Sequence, residues 1–272
     1  MDVETPAETF TSVQAPSYGQ PGATQDKAAE IAFFGQFAGS KEYDVLTEST
    51  YRRILDHFEK QVQPRAGEVF GDFGCGSAAI ASRVKSRWPF LTVKGVDLTE
   101  PLITHNKEKF KGIDFTVDDI ESTRFEPSSF DIIMYSGVLH HFRDVTRVFA
   151  EAFRLLKPGG RVFAYDPNHY HPVMWLYRSP DSPVCSRSGI TTNERLLKSE
   201  ELAHQLGTAG FRKIRIQPKS GIGYCYVDSR LMRWILPIYN FVDLLFEWSG
   251  FGRKWGAFLL TSARKPASKK TP

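Results

Sequence analysis

The 272-residue sequence holds only three cysteines, Cys75, Cys185 and Cys225, an odd number without CxxC spacing. That excludes a disulfide framework and a cysteine-based zinc site, and makes a reducing compartment the expectation. Charge of one sign is equally scarce: 35 Lys and Arg face 31 Asp and Glu, and Arg264, Lys265, Lys269 and Lys270 hold much of the +4 excess. The body of the chain is nearly neutral, so it lacks the basic stripe of a nucleic-acid binder. No stretch reaches the ~20 nearly uninterrupted apolar residues of a membrane span. Residues 1 to 30 contain no apolar core of signal-peptide length, so the expected location is cytoplasmic. What is present, 41% hydrophobic and 24% charged residues, is the composition of an ordinary folded protein.

Pro6, Pro16, Gly19, Pro21 and Gly22 interrupt any periodicity early on, which predicts a disordered arm over 1–26. From Ile31 to Phe58 apolar residues recur at helical spacing, with Gly35 and Gly39 breaking the run into two helices. Strands and helices then alternate: strands at 68–73, 91–98, 113–117, 130–135 and 161–165, helices at 79–88, 101–110 and 144–156. Alternation of this kind predicts a mostly parallel sheet covered by helices on both faces. A helix at 199–208, with Ser199 as its N-cap, and strands at 211–216 and 257–263 complete the pattern. Segments 166–197 and 218–255 fall outside it and read as insertions that build a pocket or lid. Residues 266–272 read as a flexible tail.

The first strand runs into Gly74-Cys75-Gly76 and then a helix, where the backbone must turn tightly and approach a ligand. The next strand ends at Asp97, 21 residues beyond Gly76, a spacing suited to a carboxylate that accepts hydrogen bonds from ribose hydroxyls. A nucleoside-containing ligand follows. Because dinucleotide fingerprints tolerate alanine at the third glycine, a nicotinamide oxidoreductase stays open on spacing alone.

Five motifs in order, spread over roughly residues 40 to 265, resemble the class I S-adenosylmethionine-dependent methyltransferases: "FGDFGCGSA" (70–78), "VKGVDLT" (93–99), "FTVDDIES" (115–122), "FDIIMYSGVLHHFRD" (130–144) and "LKPGGRVF" (156–163). The resemblance implies a Rossmann-like α/β fold with a seven-stranded, mostly parallel sheet, an N-terminal helical lid and S-adenosyl-L-methionine as cofactor. It places Asp72, Gly74, Cys75 and Gly76 in the glycine loop, Asp97 on the ribose hydroxyls, Leu98 against adenine, and Asp119 with Ile120 at the adenine amino group. Tyr135, and Tyr43 or Phe34 from the lid, join the cofactor shell. Asp118 reads as a solvent-facing neighbour. Ala78 stands where the family often has glycine, a departure taken as minor. His141 matches the residue that helps deprotonate the acceptor in phosphoethanolamine methyltransferases, with His140 beside it at a variable position. Adjacent histidines are expected to point different ways. Imidazole suits the task, being mostly neutral at cellular pH; no metal is called for.

Base-methylating members usually carry an Asp/Asn-Pro-Pro-aromatic run after the fourth strand, and here Tyr135-Ser136-Gly137-Val138 stands there. A small-molecule acceptor is therefore expected, with His169, Tyr170, His171, Trp175 and Tyr177 of the first insertion beside it. Eight aromatics crowd 231–258, and Arg233, Asn240, Asp243 and Glu247 project onto one side of a helix that Pro237 splits or starts. The readings of that segment are a helix packed on the sheet, the wall of a lipophilic substrate site, a dimer contact, or a membrane-surface face, the last not favoured. A cofactor-binding protein without transfer activity, scaffold or pericyclase-like, is the alternative in function.

Overall fold

The structure is a computed structural model that describes residues 25–40, 43–183, 185, 191–225 and 230–268. Most of the expected arm, residues 1–24, and residues 269–272 of the tail lie outside the described residues. Gln25 and Asp26 do not belong to a loose arm: Gln25 donates to the carbonyl of His141 (3.1 Å), and Asp26 caps the first helix.

Helix α1 (Lys27–Gly35) precedes α2 (Glu48–Val62), whose Thr47 cap accepts from Thr50 N (3.2 Å). Then come β1 (Val69–Phe73), α3 (Ala79–Arg87), β2 (Thr92–Asp97), α4 (Glu100–Lys109), β3 (Asp114–Val117), β4 (Phe130–Ser136), α5 (Thr146–Leu155) and β5 (Leu156–Pro167). The last third holds α6 (Pro172–Arg178), α7 (Ser199–Thr208), β6 (Arg212–Lys219), α8 (Arg230–Ser249), α9 (Gly252–Trp255) and β7 (Phe258–Arg264). The seven strands order as β3-β2-β1-β4-β5-β7-β6. β1 to β5 pair in parallel, and β7 is antiparallel to both β5 and β6.

Strand alternation divides the side chains between two cores. Phe70, Ile132 and Met134 face one side with Ile54 and Phe58 of α2, while Phe73, Ile133 and Tyr135 face the other with Val148 and Phe149 of α5. Both layers are buried because each strand has helices above and below, as parallel crossovers require.

Several local expectations need correction. The strand expected at 161–165 begins at Leu156, so the whole "LKPGGRVF" segment belongs to β5, with a register jump between Phe130 and Ile132 on β4. Lys198, not Ser199, occupies the N-cap of α7, and the Ser199 hydroxyl turns to Glu200 (3.1 Å). Helix α8 runs through Pro237 rather than splitting there. It is not a core helix either, since Trp234, Phe241 and Trp248 face outward.

Candidate active site

The carboxyl ends of β1, β2 and β4 open on a cavity of about 290 Å³. Its floor is the glycine turn. Gly74 (φ +76°) and Gly76 (φ +49°) both lie in the left-handed region, and a Cβ on Gly76 would overlap the Tyr43 phenol, one on Gly74 the side chain of Val138. The turn is held from below and from the side. Asp97 accepts Gly76 N–H (2.8 Å) and Thr99 N–H (2.9 Å), and Asn106 of α4 donates to Gly76 O (2.7 Å). Burial raises the Asp97 carboxyl above its ordinary range against those two amide bonds. Each Asp97 oxygen keeps acceptor capacity beyond its single amide. A half-buried carboxylate at the strand end, the bare backbone of Gly74 and Gly76, and the apolar Leu98 and Ile120 fit a nucleoside with vicinal hydroxyls.

Asp119 also lines the cavity, but its carboxylate accepts from Lys27 Nζ and from Glu121 N–H (3.0 Å). Asp118 does not face solvent. It is largely buried, accepts from Asp119 N–H and Arg124 N–H, and orders the loop. Two expected cofactor residues lie off the cavity wall. Asp72 is fully buried beneath the turn, where it accepts from Ala81 N–H (3.0 Å) at the start of α3 and from the Ser136 hydroxyl; burial pushes it up to about 7. Tyr135 is buried on the α5 side, its hydroxyl donating to Val148 O (3.1 Å). An alternating strand puts Tyr135 on the face opposite the cavity, which explains the difference. Cys75 lines the wall with a thiol that burial holds well above its ordinary pKa, unsuited to nucleophilic chemistry. Ala78 is not a minor departure, since it adopts φ +61°, a conformation that favours glycine.

Beyond the turn, a 3-10 turn over Leu139–His141 brings both histidines to the cavity wall side by side, with ring centroids 4.2 Å apart, contrary to the expectation of opposed directions. Their partners differ. His140 Nδ1 and its backbone N–H both meet Asp166 Oδ1 (3.0 and 3.1 Å), and burial drives this imidazole down to about 3, leaving it neutral. His141 Nδ1 lies 3.1 Å from Glu30 Oε2 on α1 and 3.4 Å from the Thr191 hydroxyl, with Phe34 edge-on to its ring (5.2 Å). Burial alone would lower the His141 pKa, but the Glu30 carboxylate bonded to it, with Glu194 and Asp166 nearby, raises it overall. Glu30 is itself fixed by Asn193 Nδ2 (2.6 Å). Against the cost of burial, its bonds to His141, Thr191 and Asn193 keep its carboxyl below the ordinary range.

The far end of the cavity is mostly apolar, with Leu46, Tyr165, Met174, Leu196, Tyr224 and Phe258 around the Arg178–Glu194 pair (3.0 Å). None of His169, Tyr170, His171, Trp175 and Tyr177 lines it. His171 is fully buried, caps α6 through Met174 N–H (3.1 Å) and is driven to about 4 by burial. Glu30, Lys27, Asn106 and Asn193 escape sequence reasoning because no motif contains them. Their only signal is position, on helices and a loop that the topology brings to the strand ends.

A doubly wound sheet with a glycine turn and a strand-end carboxylate defines a Rossmann-like nucleoside-binding protein. Residues 71–164, from β1 through most of β5, match the family described as a methyltransferase domain. The ubiquinone/menaquinone biosynthesis C-methyltransferase UbiE of Desulfotalea psychrophila is 29% identical over 199 residues, 70% of this chain and 76% of that protein. The ubiquinone biosynthesis O-methyltransferase of Thiobacillus denitrificans is 32% identical over 146 residues, 50% of this chain and 61% of that protein. Phosphoethanolamine N-methyltransferase 2 of Haemonchus contortus, solved with S-adenosyl-L-methionine, superposes with a TM-score of 0.56 at 19% identity, covering 87% of this chain and 56% of that one. Residues 71–164 are thus a methyltransferase domain, and the chain is similar in sequence and fold to S-adenosylmethionine-dependent methyltransferases.

Proposed function

We propose that residues 27–265 form one methyltransferase domain acting on a small, partly hydrophobic acceptor that loses a proton as it gains a methyl group. A hydroxyl, or a ring carbon activated by a neighbouring hydroxyl, meets that description, and quinone-type acceptors of the kind named for the ubiquinone and menaquinone relatives supply both. The observation that carries the reading is the Glu30–His141 pair (3.1 Å), set between the polar glycine-turn end of the cavity and its apolar end.

When bound, S-adenosylmethionine supplies a methyl group made electrophilic by the positively charged sulfur. Asp97 would hold the ribose hydroxyls, Gly74 and Gly76 would let the backbone lie against the methionine part, and Leu98, Asp119 and Ile120 would border the adenine. Tyr43 and Phe34 close over the cofactor from the lid. Glu30 accepts His141 Nδ1–H, which leaves the Nε2 lone pair for the acceptor proton. The cofactor would give its methyl group to the acceptor's electron pair and leave as the neutral thioether, while His141 Nε2 takes the released proton. Glu30 then stabilises the imidazolium. Positioning supplies ~7–11 kcal/mol of barrier lowering in such a transfer, and a placed base adds ~10²–10⁴-fold.

The test is mass spectrometry of hydroxylated quinone precursors incubated with enzyme and deuteriomethyl-labelled cofactor. Label in the acceptor is the expected result, and His141→Ala should lower kcat by about 10²-fold while cofactor affinity holds. Cofactor binding without label transfer to any acceptor would favour a non-methylating role on the same fold.

A further inference from the structure

Helix α8 is mounted with its sides reversed. Asp243 is buried and accepts the N–H groups of Gly221 (2.6 Å) and Ile222 (3.0 Å), Asn240 bonds Tyr224 through both its amide atoms (3.1 and 3.0 Å), and Glu247 pairs with Arg53. Those polar residues face the protein. Apart from Tyr239, Leu236 and Phe246, which pack against the protein, the large apolar side chains face away from it: Trp234 is 81% exposed, Phe241 60% and Trp248 86%, with Ile238, Leu244 and Leu245 exposed between them. An amphipathic helix on a water-soluble surface turns its apolar stripe inward, and a continuous apolar face of this extent marks a contact surface.

We propose that this face seats on an anionic lipid surface. Charge is the first argument. Segment 230–258 holds Arg230, Arg233, Arg253 and Lys254 against Asp243 and Glu247. Asp243 is buried and Glu247, though exposed, is neutralised by Arg53, whereas Arg253 and Lys254 are exposed next to Phe251. The second argument is the chemistry of the stripe. Between Trp234 and Trp248 its exposed side chains carry no hydrogen-bonding group, while a protein interface of ordinary size exchanges about ten hydrogen bonds. The two tryptophans stand ~21 Å apart along the helix, and indole is the side chain that settles at the boundary between hydrocarbon and water. Among the described residues no helix is long and apolar enough to cross a membrane, so the fit is a helix lying on the surface. The same helix holds Tyr224, which lines the acceptor end of the cavity. A lipid-borne acceptor would thus meet the site from this side, a consequence that rests on the proposed function; the surface contact itself does not.

The full chain is tested by co-sedimentation with phosphatidylcholine vesicles containing about 30 mol% phosphatidylglycerol, against phosphatidylcholine alone. The expected result is about tenfold stronger partition to the anionic vesicles, weakened by added salt, with a blue shift of indole fluorescence. W234E/F241E/W248E should reduce that partition about tenfold with Tm and cofactor binding unchanged; W248E alone, at the most exposed position, should reduce it several-fold if the triple variant does not fold. Failure to bind either vesicle overturns the proposal. So does binding to both alike without salt dependence, or a dimer in sedimentation equilibrium that the same substitutions dissolve.

Discussion

Glu30 carries one third of a hydrogen-bonded chain, Asn193–Glu30–His141, whose members sit on three separate segments. Burial makes the arrangement consequential, because a carboxylate in low dielectric is felt strongly by the imidazole it touches. On the proposed mechanism the raised pKa of His141 shifts the acid limb of activity above that of an ordinary imidazole, since the neutral ring is the base and activity rises as the proton leaves. Glu30→Gln removes the bonded carboxylate that raises His141 and leaves only the more distant Glu194 and Asp166 against the lowering by burial, so the acid limb should move to lower pH while kcat falls about tenfold or more. A pH–rate profile checks this; a profile that stays in place would assign Glu30 to holding α1 only. Ala78 offers a second measurement. Its left-handed backbone costs about 1–2 kcal/mol, whereas glycine costs ~0.5–1 kcal/mol in unfolded-chain entropy. Ala78→Gly should therefore raise stability by up to about 1 kcal/mol, read as a higher urea midpoint at unchanged slope.

Among the elements, α1 lies along the cavity, and it is held there by charge rather than by a deep apolar face. Lys27 bridges Asp119 and Glu121, Glu30 reaches His141, and Phe33 and Phe34 border the cavity. Such a helix has little intrinsic stability at nine residues, so its order should depend on what lies beneath it. Amide exchange over residues 27–38 should slow by about tenfold or more when cofactor is added, and Lys27→Met should lessen that protection; equal exchange with and without cofactor would mean that α1 is not a lid. The helix was legible in the sequence as helical spacing, but its polar contacts were not. Lys27 and Glu30 look like ordinary solvated residues until the topology carries the helix across the strand ends. The same limit explains α8. Its amphipathic pattern was readable, and the side that faces the protein was not, because periodicity fixes which residues share a face and nothing about which face is covered.

At the scale of the whole molecule, the alternation of strands and helices was legible because parallel strands buried on both sides must be short apolar runs with turn residues between them. The motifs placed Gly74, Gly76, Asp97, Asp119 and both histidines around one cavity, while Asp72 and Tyr135 fell a layer away, since a motif does not distinguish a residue that meets ligand from one that supports it. The cavity now joins parts that are far apart in sequence: α1, the glycine turn, the turn after β4 and the first insertion. A ligand that binds only this assembled state stabilises the entire fold by mass action, about 2.7 kcal/mol at a hundredfold excess over Kd. For a domain of this size each kcal/mol moves Tm by ~2–4 °C, so saturating S-adenosylmethionine or S-adenosylhomocysteine should raise Tm by about 5–10 °C. A nicotinamide dinucleotide should give no shift, and Asp97→Ala should lose most of the effect, because the ribose hydroxyls would be left without their buried acceptor at a cost of ~1–3 kcal/mol. Differential scanning fluorimetry with the three ligands checks all of these together, and equal shifts in wild type and Asp97→Ala would remove Asp97 from the cofactor site.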